Sequence, residues 1–233
     1  METELQRLKG AFVAIISHEL RTPLTEIITA LELLENGYGG SLTEQQRGYV
    51  AIAGRAAEHL NMLIGDLIAF AQLQAETLET RREPTDLAEL VARVVEQHRP
   101  RAQAKQLTLS FSAAPRLGPI PVDRALLTRV VSNLIINAIN FTPAQGCVSV
   151  HVAPEPDEVR IVVQDTGVGI AKEKQARLFE SFYQAADPLT RQVGGLGIGL
   201  AYARRIVEAH RGRITFESEE GKGSTFTVHL PLK

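Results

Sequence analysis

The stretch Phe12-Val13-Ala14-Ile15-Ile16-Ser17-His18-Glu19-Leu20-Arg21-Thr22-Pro23-Leu24 sets an imidazole, a carboxylate and a hydroxyl on an otherwise apolar helix, with a proline directly behind them. Thr22 stands at i+4 from His18, on the same face one turn along, and Glu19 flanks it. Pro23 has no N–H for the Glu19 carbonyl, so the helix is expected to bend or loosen beside the histidine. The apolar stripe runs Leu5, Leu8, Phe12, Ile16, Leu20, Leu24, Ile27, Leu31, Leu34. At about 100° per residue His18 lies about 200° from both Ile16 and Leu20, and so points away from a core.

Outward from this helix the pattern is a hairpin. The helix is expected to end near Glu35, where Gly37, Gly39 and Gly40 follow, and Ser41-Leu42-Thr43-Glu44 reads as a capping box for the next. That second helix carries Val50, Ala53, Ala57, Leu60, Ile64, Leu67 and Ala71 in a 3,4 alternation. One hairpin has too few partners for such a seam, whereas two hairpins in a four-helix bundle bury it, which predicts a homodimer. From Phe12 to Leu24 the stripe steps by four, a stutter that locally unwinds a supercoil around His18. Leu5, Leu8 and Phe12 already follow a coiled-coil rhythm with no cap ahead of them, so an upstream sensor or membrane segment is expected.

Composition narrows the functional classes. A chain of 233 residues, 44% hydrophobic and 22% charged, holds two modest domains. Its 25 Lys and Arg against 27 Asp and Glu leave a net charge of −2 with no basic run, so no nucleic-acid surface is indicated. The single cysteine, Cys147, has no internal partner for a disulfide. No apolar run approaches the ~18 to 20 residues that cross a bilayer, so no membrane contact is expected within the chain and a cytoplasmic location is.

Beyond about Glu79 the pattern shifts to short alternating runs and shorter helices, with Arg81-Arg82-Glu83-Pro84 as the joint; domains of 1–80 and 81–233 are read from this. Asp86-Leu87-Ala88-Glu89 caps a helix to about Gln103, Leu107 to Phe111 alternates as a strand, and Asp123 caps a helix to about Phe141. Val148–Val152 and Val159–Gln164 read as a hairpin. A Gly-rich loop, a helix from about Gly199 to His210, and strands at Arg213–Glu217 and Thr225–Leu230 complete an α+β domain with helices on one face of a mixed sheet.

Four motifs in this domain suit a nucleotide. Asn133-Leu134-Ile135-Ile136-Asn137 places two carboxamides at i and i+4, where their oxygens can reach a hard cation that also holds phosphates. Asp165-Thr166-Gly167-Val168-Gly169-Ile170 follows an apolar strand, holding an acceptor carboxylate suited to the adenine amino group beside two glycines that permit close backbone approach. Gly194-Gly195-Leu196-Gly197-Ile198-Gly199-Leu200 opens a helix and offers N–H groups to phosphate; its spacing is not that of the dinucleotide fingerprint. Gly221-Lys222-Gly223-Ser224-Thr225-Phe226 turns into the last strand. The remaining histidines, His59, His98, His151, His210 and His229, show no metal-ligand spacing and read as surface or structural.

The box Ser17-His18-Glu19-Leu20-Arg21-Thr22-Pro23-Leu24 resembles the phosphoacceptor motif of two-component sensor histidine kinases. The four downstream motifs, in this order, resemble the ATP-binding domain of the same kinases, a branch of the ATPases that include Hsp90, MutL and gyrase. The resemblance implies a dimeric helical bundle followed by an α/β two-layer sandwich. It implies ATP and Mg²⁺ as cofactors, His18 as phosphoacceptor, Glu19 as its acid–base partner and Thr22 in dephosphorylation. It further implies Asn137 and Asn133 at the metal, Asp165 on adenine with Gly167 and Gly169 close by, Gly195, Gly197 and Gly199 along the phosphates, and Ser224 reaching adenine through water. The implied partner is the receiver domain of a response regulator.

Two positions depart from that family pattern. Many relatives carry Lys where Asn140 stands and Arg where Gln184 follows Leu178-Phe179-Glu180-Ser181-Phe182-Tyr183, which looks like the start of a lid over ATP. Arg177 and Arg191 are both candidates for the missing positive charge. Two rival readings remain: an ATP-driven clamp of the Hsp90 or MutL type, which has no use for the histidine hairpin, and a dimeric scaffold whose pocket only tunes conformation.

Overall fold

The computed structural model describes residues 19–20, 22–73, 78–114, 118–184 and 196–232. They divide into two compact units, Met1–Glu76 with Pro188–Ile198, and Thr77–Asp187 with Gly199–Lys233. Among the described residues no helix is long and apolar enough to cross a membrane.

The first unit is a helical hairpin. Helix α1 is continuous over 22–35, through Pro23. The stutter and His18 itself lie outside the described residues. Beyond Glu35 the chain turns with Gly37 at φ 81° and Gly40 at φ 97°, left-handed values that favour glycine and end a helix. Helix α2 spans Glu44–Leu73. Its cap corrects the expected box by two residues. Thr43 Oγ1 accepts the Gln46 N–H at 3.3 Å and Gln46 Oε1 accepts the Thr43 N–H at 2.9 Å. The reciprocal chemistry is that of a capping box, but residues 41–43 are used in crossing from α1, so the first helical turn starts later.

Within this hairpin Leu24, Ala57 and Ile64 are buried, with Ile28, Leu31 and Ile68 packed against them. The seam read on α2 is therefore divided. Ala57 and Ile64 serve the hairpin's own core, while Leu60, about 60° round the helix from Ala57, stays 49% exposed. On α1 and just before it, Leu20, Ile27 and Leu34 form a second apolar row at seven-residue spacing, also exposed.

The second unit is a two-layer α/β sandwich. Helices α3 (Leu87–Ala104), α4 (Arg124–Phe141) and α6 (Gly199–Ala209) pack side by side. They cover one face of a five-stranded mixed sheet, ordered β2 (Thr108–Ala113), β4 (Cys147–Pro154), β5 (Glu158–Asp165), β7 (Gly223–Pro231), β6 (Arg213–Glu219). The β2–β4 pair is parallel and the rest antiparallel. Register brings Val150, Val163, Phe226 and Phe216 into one row on the helix side, and Val148, Asp165, Ser224 and Ser218 into another at the sheet end. Each fully buried Val or Ile of these strands contributes roughly 1.5–3 kcal/mol.

The caps of α3 and α4 stand where the sequence placed them. Asp86 accepts from the Glu89 N–H and Asp123 from the Leu126 N–H, both at 3.0 Å, each worth about 1 kcal/mol. The joint differs from the expectation. Glu83–Thr85 is strand β1, paired antiparallel with β3 (Ile120–Val122), and the backbone N–H of Arg81 donates to Asp123 Oδ2 at 2.9 Å. A four-residue helix, α5 (Lys172–Gln175), was also not expected.

A charge at Ile64 should disrupt the hairpin itself at a cost of several kcal/mol, whereas Leu60→Glu should leave it folded. Circular dichroism and light scattering on both variants check this: Ile64→Glu should lose cooperative melting, and Leu60→Glu should keep its helix content while losing the homodimer that the sequence pattern predicts.

Candidate functional site

Asp165 ends β5 and pairs across to Ser224 of β7. Its side chain is buried, and Oδ1 accepts two backbone N–H groups, from Gly167 at 2.8 Å and Ser224 at 3.3 Å. Oδ2 has no hydrogen-bond partner among the described residues. Burial raises the carboxyl above the ordinary aspartate range, and the two N–H donors pull it partly back. The result is a fixed carboxylate with one oxygen held and one available.

The loop after Asp165 is seated on α4. The Val168 N–H donates to the Phe141 carbonyl at 3.1 Å, and a Cβ at position 167 would lie 2.5 Å from that same oxygen. Only glycine fits there. At Gly169, φ is 63° and a Cβ would lie 1.9 Å from the Glu219 carbonyl, so this glycine is required by the close approach of β6. Both positions are thus demanded by neighbouring backbone, a close backbone approach of the kind the two glycines were expected to permit.

Ser224 belongs to a hydroxyl pair that the sequence reading missed. Ser218 Oγ donates to the Gly223 carbonyl at 3.0 Å, accepts the Ile170 N–H at 2.9 Å and lies 2.9 Å from Ser224 Oγ. Since the one Ser218 proton is committed, Ser224 donates to Ser218 and keeps its own lone pairs. The signal for Ser218 was the cross-strand register of β6 and β7, which no local motif announces.

The two asparagines of α4 differ. Asn133 Nδ2 donates to the Gly199 carbonyl at 3.3 Å and ties α4 to the first residue of α6. Asn137, one turn nearer the Asp165 loop, makes no side-chain hydrogen bond among the described residues. A Cβ at Gly199 would meet Asn133 only at 3.6 Å, an ordinary contact, so close packing does not dictate that glycine. Gly197, at φ 74°, falls in the first unit, and Gly195 lies outside the described residues. Asn140 accepts from Arg101 Nη2 at 3.1 Å. Arg177 is held by Glu180 at 2.8 Å with its guanidinium 4.4 Å from the Tyr183 ring centroid, and Arg191 is outside the described residues. Glu19 and Thr22 are exposed in the first unit.

The other histidines serve the frame. His210 is buried, its Nδ1–H donating to the Ile206 carbonyl at 2.8 Å and its Nε2 accepting the Asp123 N–H at 2.9 Å, and burial lowers its pKa. His98 meets Ser132 at 2.7 Å, and His229 meets Glu158 at 2.7 Å. Among the described residues no three His, Cys, Asp or Glu side chains cluster as a metal cage.

Two family models match separate parts of the chain. The His Kinase A (phospho-acceptor) domain matches residues 8–76, and the Histidine kinase-, DNA gyrase B-, and HSP90-like ATPase matches residues 122–233. The chain belongs to the two-component histidine kinases. It carries that family's catalytic core, a phosphoacceptor hairpin followed by an ATP-binding domain. The kinase core is 39% identical over 225 residues to the circadian input-output histidine kinase CikA of Synechococcus elongatus, covering 96% of this chain and 30% of that protein. It is 34% identical over 236 residues to the sensor protein GacS of Pseudomonas syringae, covering 98% of this chain and 26% of that protein. Full-length ShkA, solved in complex with AMPPNP, superposes with a TM-score of 0.73 at 34% identity, over 95% of this chain and 46% of that one. The chain therefore spans less than a third of the length of these two curated relatives.

Because its folded pKa lies above the unfolded value, Asp165 takes away stability as pH rises from the unfolded value through the folded one. Asp165→Asn, which keeps the Oδ1 acceptor and drops the charge, should melt at or above the parent temperature and lose that pH dependence. Asp165→Ala strands two N–H groups and should cost about 1–3 kcal/mol. Thermal denaturation between pH 3.5 and 8 measures all three proteins.

Proposed function

We propose that this kinase core transfers the γ-phosphoryl group of ATP to His18 and then to an aspartate on a response regulator. The observation that carries the reading is the buried Asp165 carboxylate, fixed by two N–H groups with its second oxygen available, one loop away from the unpartnered Asn137 carboxamide. An acceptor in a desolvated setting suits the exocyclic amine of adenine and rejects a base that presents a carbonyl there. The lone pairs of Ser224 beside it suit a bridging water.

A hard divalent cation fits the donor set. Mg²⁺ is bound by few protein oxygens together with phosphate and water, and Asn137 offers a free carboxamide oxygen while Asn133 keeps its Oδ1 after donating through Nδ2. When bound, Mg²⁺ supplies charge neutralisation to the phosphates. Asn137 is the principal ligand in this reading, with Asn133 beside it. Gly195, Gly197 and Gly199 lie along the phosphates.

The nucleophile is a neutral imidazole nitrogen of His18. Its lone pair forms the N–P bond as the bond from phosphorus to the bridging β-phosphate oxygen breaks, and ADP leaves. Glu19 accepts a hydrogen bond from the other ring nitrogen and stabilises the charge that develops on the ring. Thr22 orients water in the reverse, phosphatase reaction. Residues 1–80 serve dimerisation and phosphotransfer, and residues 81–233 serve ATP binding and catalysis, in the cytoplasm. The exposed row Leu20, Ile27, Leu34 and Leu60 is the face on which a second hairpin completes a four-helix bundle. The hairpin is what distinguishes this reading from an ATP-driven clamp.

Incubation with γ-³²P-ATP tests the reaction. The parent should take up base-stable, acid-labile label and His18→Gln none; label persisting in that variant would overturn the assignment. Glu19→Ala should lose roughly 10²-fold in rate, the usual scale for a positioned acid–base group, and Thr22→Ala only a few-fold. Thr22→Ala should instead slow dephosphorylation of the phospho-regulator.

A further inference from the structure

We infer that Arg101, carried on α3 and held by Asn140, is the cation that faces the polyphosphate of the bound nucleotide. The inference rests on the nucleotide reading of the α4 site and assigns one of its charges. A triphosphate brings several negative charges; the site face of α4 offers the neutral carboxamides of Asn133, Asn137 and Asn140, and the cation in line with them, Arg129, is engaged with Tyr202, its Nη1 donating to the Tyr202 hydroxyl at 3.2 Å and its guanidinium 5.4 Å from the ring centroid. A positive group must come from another element.

Arg101 Nη2 donates to Asn140 Oδ1 at 3.1 Å, which fixes the guanidinium at the last turn of α4. Asn140 is three residues from Asn137, a spacing that makes the two side chains neighbours about 5–6 Å apart at Cβ. The following residue, Phe141, holds the Asp165 loop through its carbonyl. Arg101 thus joins the same end of α4 that carries the unpartnered carboxamide and seats the adenine loop.

Its charge is not otherwise spent. Among the described residues of this unit, Arg93, Arg99, Arg160, Arg177, Arg204, Arg213 and Lys222 each lie within ion-pair distance of a carboxylate, and Arg101 is not one of them. Arg177, the other described candidate for the missing charge, is tied to Glu180 and stacked on Tyr183. Nor is Arg101 needed to cap α4. Lys105 already does so, its Nζ donating to the carbonyls of Ile139 at 2.8 Å and Asn140 at 2.6 Å. Arg101 also pushes the pKa of Lys105 and of His98 down, in each case beside a larger effect of burial. Positive charge therefore accumulates here without a carboxylate, and an anion would relieve it. A guanidinium suits phosphate because its fork of N–H groups leaves donors free after one is given to Asn140.

Calorimetric titration of the full chain with ATP and with adenosine tests this. Arg101→Gln should weaken ATP about tenfold, the scale of one charge-assisted contact at a partly exposed site, and leave adenosine within twofold. Arg101→Lys should stay within a few-fold for ATP, and Asn140→Lys added to Arg101→Gln should recover most of the loss. Unchanged ATP affinity in Arg101→Gln would overturn the assignment, as would a parallel loss of ATP and adenosine, which marks a packing role. A parent protein that binds neither ligand would overturn the nucleotide reading itself, whereas a parent that binds both with an indifferent Arg101→Gln removes only this residue.

Discussion

The seating of the Asp165–Gly169 loop against the last turn of α4 is the constraint on which the ATP-binding unit depends. Two backbones come close enough there that no side chain fits at position 167, and the contact is locked by the Val168 N–H on the Phe141 carbonyl. The same seating turns the Gly167 N–H onto Asp165, so a carboxylate that burial would otherwise neutralise is held ionisable by two donors. Stability and the proposed recognition meet in one side chain. The fold tolerates a desolvated acid because half of it is satisfied, and the unsatisfied half is what a ligand can use.

Elsewhere charge is arranged to stabilise the sheet rather than to bind. On the outer face Glu158 holds Arg213 through two contacts and His229 through one, and these partners bring its carboxyl down to about 2. With its folded pKa below the unfolded one, this group contributes stability that is complete above about 4.5 and lost as pH falls toward 2. Asp165 runs the other way. The contrast separates a carboxylate built into the frame from one kept at a cost.

Much of this architecture was legible locally. Asp86 and Asp123 announced α3 and α4 because a cap acts within three residues, and the alternation of β4 and β5 shows in their own side chains. What escaped was set by partners distant in the chain. Strands β1 and β3 have three residues each, both contain a proline, and they exist only by pairing with each other. Ile64 and Leu60 look alike in a heptad, and only the packing of α1 against α2 decides which is core. The residue types of the candidate site, Asn133, Asn137, Asp165 and Ser224, were legible. Ser218 and the proposed Arg101 were not, since one enters by strand register and the other from a separate helix. The glycines at 167 and 169 were legible as points of close backbone approach, but the backbones that approach them, at Phe141 and Glu219, were not.

The central claim is that the available oxygen of Asp165 reads the exocyclic amine of adenine. The most direct measurement is equilibrium binding of ATP against ITP, which presents a carbonyl in place of that amine, to the parent and to Asp165→Asn. The account predicts a preference for ATP of about tenfold or more in the parent, the cost of leaving a buried acceptor unpaired, and its collapse in the variant. Equal affinity for the two nucleotides in the parent, or an undiminished preference in Asp165→Asn, would contradict it.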